Sequence, residues 1–204
     1  LAAMAADDYP ALPAMPGVAG TVDAHDLAQA VAQVVIAASR DETLPLLTSV
    51  QMQVEGERLT LMATDRYRLA VREMTWSPQD AGLTTHALLK ARTLSDVAKS
   101  LTSTGDVTVA LTEAGASSSG LIGFEAGGRR TTSLLTDGDY PPVLRLFPEE
   151  TTIHAAVGRE ELMAAVRRVS LVADRSTPIH MSFTEDGLAL DAGTGDDAQA
   201  SERL

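Results

Sequence analysis

The chain repeats itself at long range. Leu27, Ala30, Val31, Val34 and Ala38 recur as Leu162, Ala165, Val166, Val169 and Ala173, each 135 residues later. Asp23 and Asp26, which read as a helix start, map at the same spacing onto Gly158 and Glu161. Asp8-Tyr9-Pro10 recurs as Asp139-Tyr140-Pro141, 131 residues on. A period this long is a whole domain, not a solenoid unit of roughly 20–50 residues. The repeat predicts one complete copy and a second that stops at Leu204 after one helix and about two strands. Residues 1–18 form a leading tail that resembles the linker into the second copy. The chain is expected to be a window on a longer array of similar domains.

The first copy opens with a helix signature. Asp23 is a good N-cap, with Asp26 three residues on in an acidic variant of the capping box. Leu27, Ala30, Val31, Val34, Val35 and Ala38 then form one apolar stripe at period 3.6. The opposite face carries Ala28, Gln29, Ala32 and Gln33. Strand patterns follow. Val50, Met52 and Val54 alternate with glutamines, 55–58 read as a turn, and Leu59, Leu61 and Ala63 complete a hairpin. Another strand covers residues 69–76, a loop 77–82 and a short strand 85–89. A second helix over 93–101 turns Leu94 and Val97 inward. Residues 107–112 alternate cleanly, 114–120 form a small-residue turn, and 121–124 pair with 131–135 across Gly127-Gly128. The unit reads β-α-β-β-β twice, about eight strands and two helices, with a hint of a half-unit repeat. The class is α+β, with antiparallel sheets covered on one face by the helices.

Charge adds a functional hint. The net charge of −12 by itself argues against nucleic acid. In the helix-like windows 27–40, 90–101 and 162–173, however, Arg40, Lys90, Arg92, Lys99, Arg167 and Arg168 stand against Asp96 alone. The windows carry a net +5, which leaves −17 for everything else. Scattered solvated charge is the bland explanation. The functional one is a helical face that meets a polyanion while the sheets face away. No apolar run reaches the ~18 residues of a membrane span, and no secretory signal pattern is visible. The absence of cysteine fits a reducing, cytoplasmic compartment.

No catalytic constellation is found, and no metal or cofactor site is expected. His25, His86, His154 and His180 lack metal-ligand spacing. His25-Asp26 lies in a first helical turn, where capping explains it. Gly193-Thr194-Gly195 lacks the third glycine and following helix of a dinucleotide loop. Asp191, Asp196 and Asp197 read as a solvated acidic loop.

Two segments remain. Residues 139–150, beginning Asp139-Tyr140-Pro141-Pro142, form an apolar, proline-stiffened connector, unlike the Gly/Ser-rich polar composition of a flexible tether. Ala63-Thr64-Asp65-Arg66-Tyr67-Arg68-Leu69-Ala70 is a polar turn in which two arginines flank an aromatic and no glycine is present. With Ser39-Arg40-Asp41-Glu42-Thr43-Leu44-Pro45 and Ala165-Val166-Arg167-Arg168-Val169 to Ala173-Asp174-Arg175, these motifs resemble the bacterial DNA polymerase III beta subunit (sliding clamp) family.

The resemblance spans essentially the whole chain. It implies three similar domains per protomer, joined head to tail in a homodimeric ring around duplex DNA, with helices lining the hole. By that resemblance residues 1–18 are the end of the first domain and its linker, 19–138 the middle domain, 139–150 the next linker and 151–204 the first half of the third. It implies a non-catalytic processivity factor. A cleft between the second and third domains would take short peptide motifs from the replicative polymerase alpha subunit, the clamp loader and repair polymerases. Carried over by position, its residues are Leu47, Thr64, Arg66, Tyr67, Arg68, Leu69, Pro141, Arg145 and Leu146. Two features depart from the family pattern. Ser176 replaces an aromatic gate found in some members, and the cleft's far wall comes from a segment beyond Leu204. The competing reading is an interaction scaffold of repeated α+β domains with no DNA in its hole.

Overall fold

The computed structural model describes residues 14–101, 105–112, 120–148, 150–173, 178–193 and 198–204. Asp8-Tyr9-Pro10, most of the 114–120 turn, Ser176, Asp196 and Asp197 lie outside them. The chain divides into two compact units, ending and beginning at Leu146 and Phe147.

The first unit opens with β1 (Val18–Asp23) and α1 (Ala24–Val34). Asp23 caps α1 as expected, its Oδ1 accepting from the amides of His25 at 2.8 Å and Asp26 at 3.0 Å. Leu27, Ala30, Val31 and Val34 are buried, so the stripe is the core face. The helix tightens to a 3-10 turn over Val35–Ala37, leaving Val35 half-buried and turning Ile36 to solvent. Next come β2 (Ser49–Glu55), β3 (Arg58–Thr64), β4 (Leu69–Thr75), β5 (Ser77–Pro78) and β6 (Thr84–Lys90). Helix α2 (Ala91–Ser100), β7 (Asp106–Leu111), β8 (Leu121–Ala126) and β9 (Arg129–Leu134) complete the alternation. β5 is a finding: the expected loop contributes two residues that pair with β1. In the β8–β9 hairpin the two-residue turn is Gly127-Gly128, with φ of 57° and 78°. Both values are left-handed, and glycine adopts that conformation at no Cβ cost.

All pairings are antiparallel, in sheets ordered β4-β3-β2-β6 and β5-β1-β7-β8-β9. This order explains the half-unit repeat. β1 opens the first half but pairs with β7 of the second, and β6 opens the second half but pairs with β2 of the first. Each half lends its leading strand to the other's sheet. The inner faces of both sheets meet α1 and α2 in one core that includes Met52, Leu59, Leu61, Leu94 and Phe124.

β3 is buried on both faces. Leu59, Leu61 and Ala63 point to the helix side, whereas Met62 joins Leu88, Tyr140 and Val143 in a separate cluster. The connector therefore packs on the back of the first sheet. Its Val143–Leu146 stretch forms a 3-10 turn.

In the second unit α3 (Arg159–Val169) has the bounds of α1 shifted by 135 residues. Its N-cap, Gly158, has no side chain to cap with. Three strands follow, one more than expected: β10 (His180–Thr184), β11 (Gly187–Ala192) and β12 (Ala200–Arg203), ordered β10-β11-β12. Leu188, Leu190 and Ala192 are buried against Ala165 and Val169.

The helices as formed are less basic than the sequence windows. Asp26 lies in the first turn of α1, and Glu160 and Glu161 lie in that of α3. There they complement the helix dipole. Arg40 and Lys90 lie just outside the helices.

Candidate functional site

The turn between β3 and β4 is held from within. Asp65 Oδ1 accepts from the amides of Tyr67 and Arg68, each at 3.0 Å, and its Oδ2 from Arg68 Nε at 3.1 Å. Burial by itself pushes the Asp65 carboxyl up, but these donors together hold it below the usual carboxylate range. Thr64 Oγ1 donates to the Arg68 carbonyl at 2.7 Å and accepts from Arg66 N–H at 3.1 Å. Arg66 is left-handed, with φ of 78°, the one non-glycine residue described with positive φ. The motif's two arginines thus part ways: Arg68 is bound to its own turn, and Arg66 is not.

Beside this turn lies an apolar pocket of about 450 Å3 within the first unit. Leu47, Thr64, Arg66, Pro141 and Leu146 from the sequence-expected set line it. Thr43, Leu44, Pro45, Leu46 and Val143 also line it. Three chain segments therefore converge: 43–47, the β3–β4 turn, and the connector. Tyr67 stands almost fully exposed nearby in sequence, at 91%. Leu69 packs into the Met62–Tyr140 cluster. Neither of these, nor Arg68 or Arg145, is among the lining residues. Leu146 is 73% exposed, so the pocket presents unsatisfied apolar surface to solvent.

A second feature sits at the ends of the two neighbouring helices. A solvent-open cavity of about 800 Å3 gathers Arg40, Lys90 and Arg92, with Ser39, Thr48, Thr93 and Ser95 around them and Glu42 as its one acid. The three cations have no ion-pair partner among the described residues. The remaining basic candidates differ. Lys99 is 3.5 Å from Asp96. Arg168 Nε donates to Glu202 Oε1 at 2.7 Å, which holds the guanidinium pKa above its ordinary value. Arg167 is exposed in the last turn of α3.

Residues 21–142 match the profile of the DNA polymerase III beta subunit, central domain. The chain belongs to the DNA polymerase III beta subunit family. Residues 144–204 match the C-terminal domain of the same subunit. The beta sliding clamp of Micrococcus luteus is 54% identical over all of this chain and 64% of its own length. That of Streptomyces coelicolor is 50% identical over 97% of this chain and 52% of its own length. The chain thus spans between half and two-thirds of these relatives. The fold agrees as well. The sliding clamp of Bacillus subtilis superimposes with a TM-score of 0.86 at 25% identity, over 98% of this chain and 52% of the solved one. The DNA polymerase III subunit beta of Pseudomonas aeruginosa gives 0.83 at 20% identity, over 98% of this chain and 54% of its own.

Of the apolar pocket's lining, Thr64 and Arg66 of the β3–β4 turn and Pro141 and Leu146 of the connector were expected from the sequence, but not Val143, and only Leu47 of the third wall. The missed signal was Leu44-Pro45-Leu46-Leu47, an apolar run with neither helical nor strand period. Such a run outside regular structure is left to line something. No helix of the described residues is long and apolar enough to cross a membrane.

Proposed function

We propose that this chain is part of a ring-shaped sliding clamp that encircles duplex DNA and tethers the replicative polymerase to it without doing chemistry itself. Encirclement raises the effective concentration of the enzyme at the primer end. The organisation proposed is a tail of a preceding domain (1–18), a middle domain (19–138), a connector (139–150) and part of a third domain (151–204), in a head-to-tail homodimer in the bacterial cytoplasm. Arg40, Lys90, Arg92, Lys99, Arg167 and Arg168 face the DNA. They contact phosphates without reading bases, so sliding stays easy. The acidic remainder of the chain repels DNA from other faces.

The observation that carries this reading is the convergence of Arg40, Lys90 and Arg92 on one cavity in a chain of net charge −12. Of the six candidates these three and Arg167 have no ion-pair partner among the described residues, whereas Arg168 and Lys99 already have carboxylate neighbours. The salt dependence of duplex-DNA binding tests it. The triple variant Arg40→Gln, Lys90→Gln, Arg92→Gln should weaken binding uniformly across sequences and flatten the log–log salt slope by about 3. An unchanged slope would sink the assignment. Topology is tested separately: the assembled ring should stay on nicked circular duplex and leave on linearisation, whereas a scaffold without DNA in its hole does neither.

The apolar pocket is proposed to take short peptide motifs of the polymerase alpha subunit, the clamp loader and repair polymerases. Leu47, Pro141 and Leu146 form its floor and rim, Thr64 and Arg66 supply polar groups, and Tyr67, Arg68, Leu69 and Arg145 flank it.

A further inference from the structure

We infer that Glu202 competes with the DNA backbone for Arg168, and so limits how firmly α3 grips the duplex. The inference rests on the DNA reading of the basic residues and adds an acid that restrains one of them.

The strand register places the carboxylate. β12 pairs with β11, and Glu202 stands opposite Leu190. Residues directly opposite one another share a face of the sheet. Leu190 is fully buried in the core with Ala165 and Val169 of α3, so Glu202 lies on the helix side as well. There its Oε1 accepts from Arg168 Nε at 2.7 Å, across 34 residues of chain. The Arg168 side chain is 58% exposed, but that of Glu202 only 26%. Oε2 of Glu202 is shut off from solvent and has no donor among the described residues. Arg168 is also the one ion-pair partner of this carboxylate among them. Arg168 therefore cannot turn to a phosphate without leaving a half-buried carboxylate uncompensated. That cost is subtracted from any contact it makes.

The other helix cations lack this restraint. Arg167, one residue back, is exposed and has no ion-pair partner among the described residues. Lys99 meets Asp96 at 3.5 Å, but within one helix turn and with both side chains well exposed. Such a pair yields readily to water or phosphate. Of the six basic candidates, Arg168 alone is tied to another element among the described residues. The consequence suits sliding, since each further phosphate contact must break before the duplex moves on.

The test is anisotropy titration of a labelled duplex with the 204-residue chain at several salt concentrations. Glu202→Gln keeps the size of the side chain and removes its charge. It should tighten binding by roughly three- to tenfold at low salt and steepen the log–log salt slope by about 1, the value of one further phosphate contact. The gain should require Arg168. In an Arg168→Gln background, Glu202→Gln should change binding by less than about twofold, because a charge that touches no phosphate acts only through screening solvent. An equal gain in both backgrounds is general relief of charge and overturns the inference, as does an unchanged slope in Glu202→Gln. Should Glu202→Gln fail to fold, a comparison with Glu202 in place decides. Arg167→Gln should flatten the slope by about 1 and Arg168→Gln by less than half as much; equal losses overturn the inference. Each of these outcomes leaves the DNA reading standing. Binding by the native chain that is absent at low salt, or indifferent to salt, overturns the DNA reading, and the inference with it.

Discussion

The backbone N–H of Thr64 donates to the phenolic oxygen of Tyr140 at 2.9 Å, across 76 residues of chain. The bond ties the end of β3 to the connector, next to the turn whose residues line the pocket. Tyr140 is 9% exposed and Thr64 6%, so neither partner has water as a ready substitute. Two walls of the pocket are thereby held together by one hydrogen bond and the packing of Tyr140 and Val143 on Met62 and Leu88.

Replacing Tyr140 by Phe keeps the ring and removes the acceptor. The Thr64 amide is then left buried and unpaired, which costs about 1–3 kcal/mol. Urea denaturation should show a lower midpoint with an unchanged slope. A midpoint equal to that of the native chain would mean that water replaces the hydroxyl.

The same residue predicts an alkaline limit. Burial pushes the Tyr140 phenol above its ordinary value of 10.0, against a smaller opposite effect of the Thr64 bond. The folded state thus holds this proton more tightly than the unfolded state. The associated stability is fully present below pH 10 and is lost as pH rises through the folded pKa. Stability of the native chain should fall more steeply above pH 10 than that of Tyr140→Phe, measured by urea titration at several pH values. Parallel curves would contradict it.

The two helix starts should respond in opposite directions. Asp23→Ala removes the cap of α1 and should cost about 1 kcal/mol. Gly158 caps α3 with φ −60° and ψ 119°, a conformation open to any residue. Gly158→Ser supplies the missing acceptor and should stabilise by a few tenths of a kcal/mol. A Cβ there meets only the movable carboxylate of Glu161, at 3.0 Å. Thermal melting of the single variants checks both signs.

Gly20 lies where β1 meets β5 and Trp76. A Cβ on it would stand 2.5 Å from the Ser77 carbonyl oxygen and 2.6 Å from Trp76 Cζ3. Trp76 cannot yield easily, because its Nε1 donates to the Gly56 carbonyl at 2.8 Å. Gly20→Ala should destabilise by about 1–3 kcal/mol through overpacking. Unchanged stability with native tryptophan fluorescence would show that the strand can shift.

Truncations at the pocket should separate its lining from its flank. Leu146→Ala removes lining surface and should weaken a bound peptide by about 1 kcal/mol or more. Arg145→Ala removes a side chain outside the lining and should weaken it less. Calorimetry on both variants distinguishes them; a larger loss at Arg145 would relocate the peptide.

The legible part of this protein was local. Periodicity placed the buried faces of α1 and α3, and alternation placed the hairpins, because a helix or strand writes its buried face into consecutive residues. The family motifs named half of the pocket's lining, Leu47, Thr64, Arg66, Pro141 and Leu146, for the same reason: they lie in contiguous stretches. The back face of β3 was not legible. Met62 is polar-side by alternation and becomes core only because Tyr140 and Val143 cover it. Nor did the sequence separate Arg66 from Arg68. They are two residues apart with equal formal charge, and only the hydrogen bonds of Asp65 and Thr64 send one into the turn and the other to the pocket.

What the sequence alone determined is the repeated unit, its element order and its α+β class, all of which follow from short-range pattern. Tertiary structure decided the exchange of β1 and β6 between the two halves, the seat of the connector and the convergence of residues 43–47, 64–66 and 141–146 on one pocket. The physical reason is sequence distance. Pairings and packing between segments up to about a hundred residues apart depend on which surfaces best fill one core, and no local period records that choice.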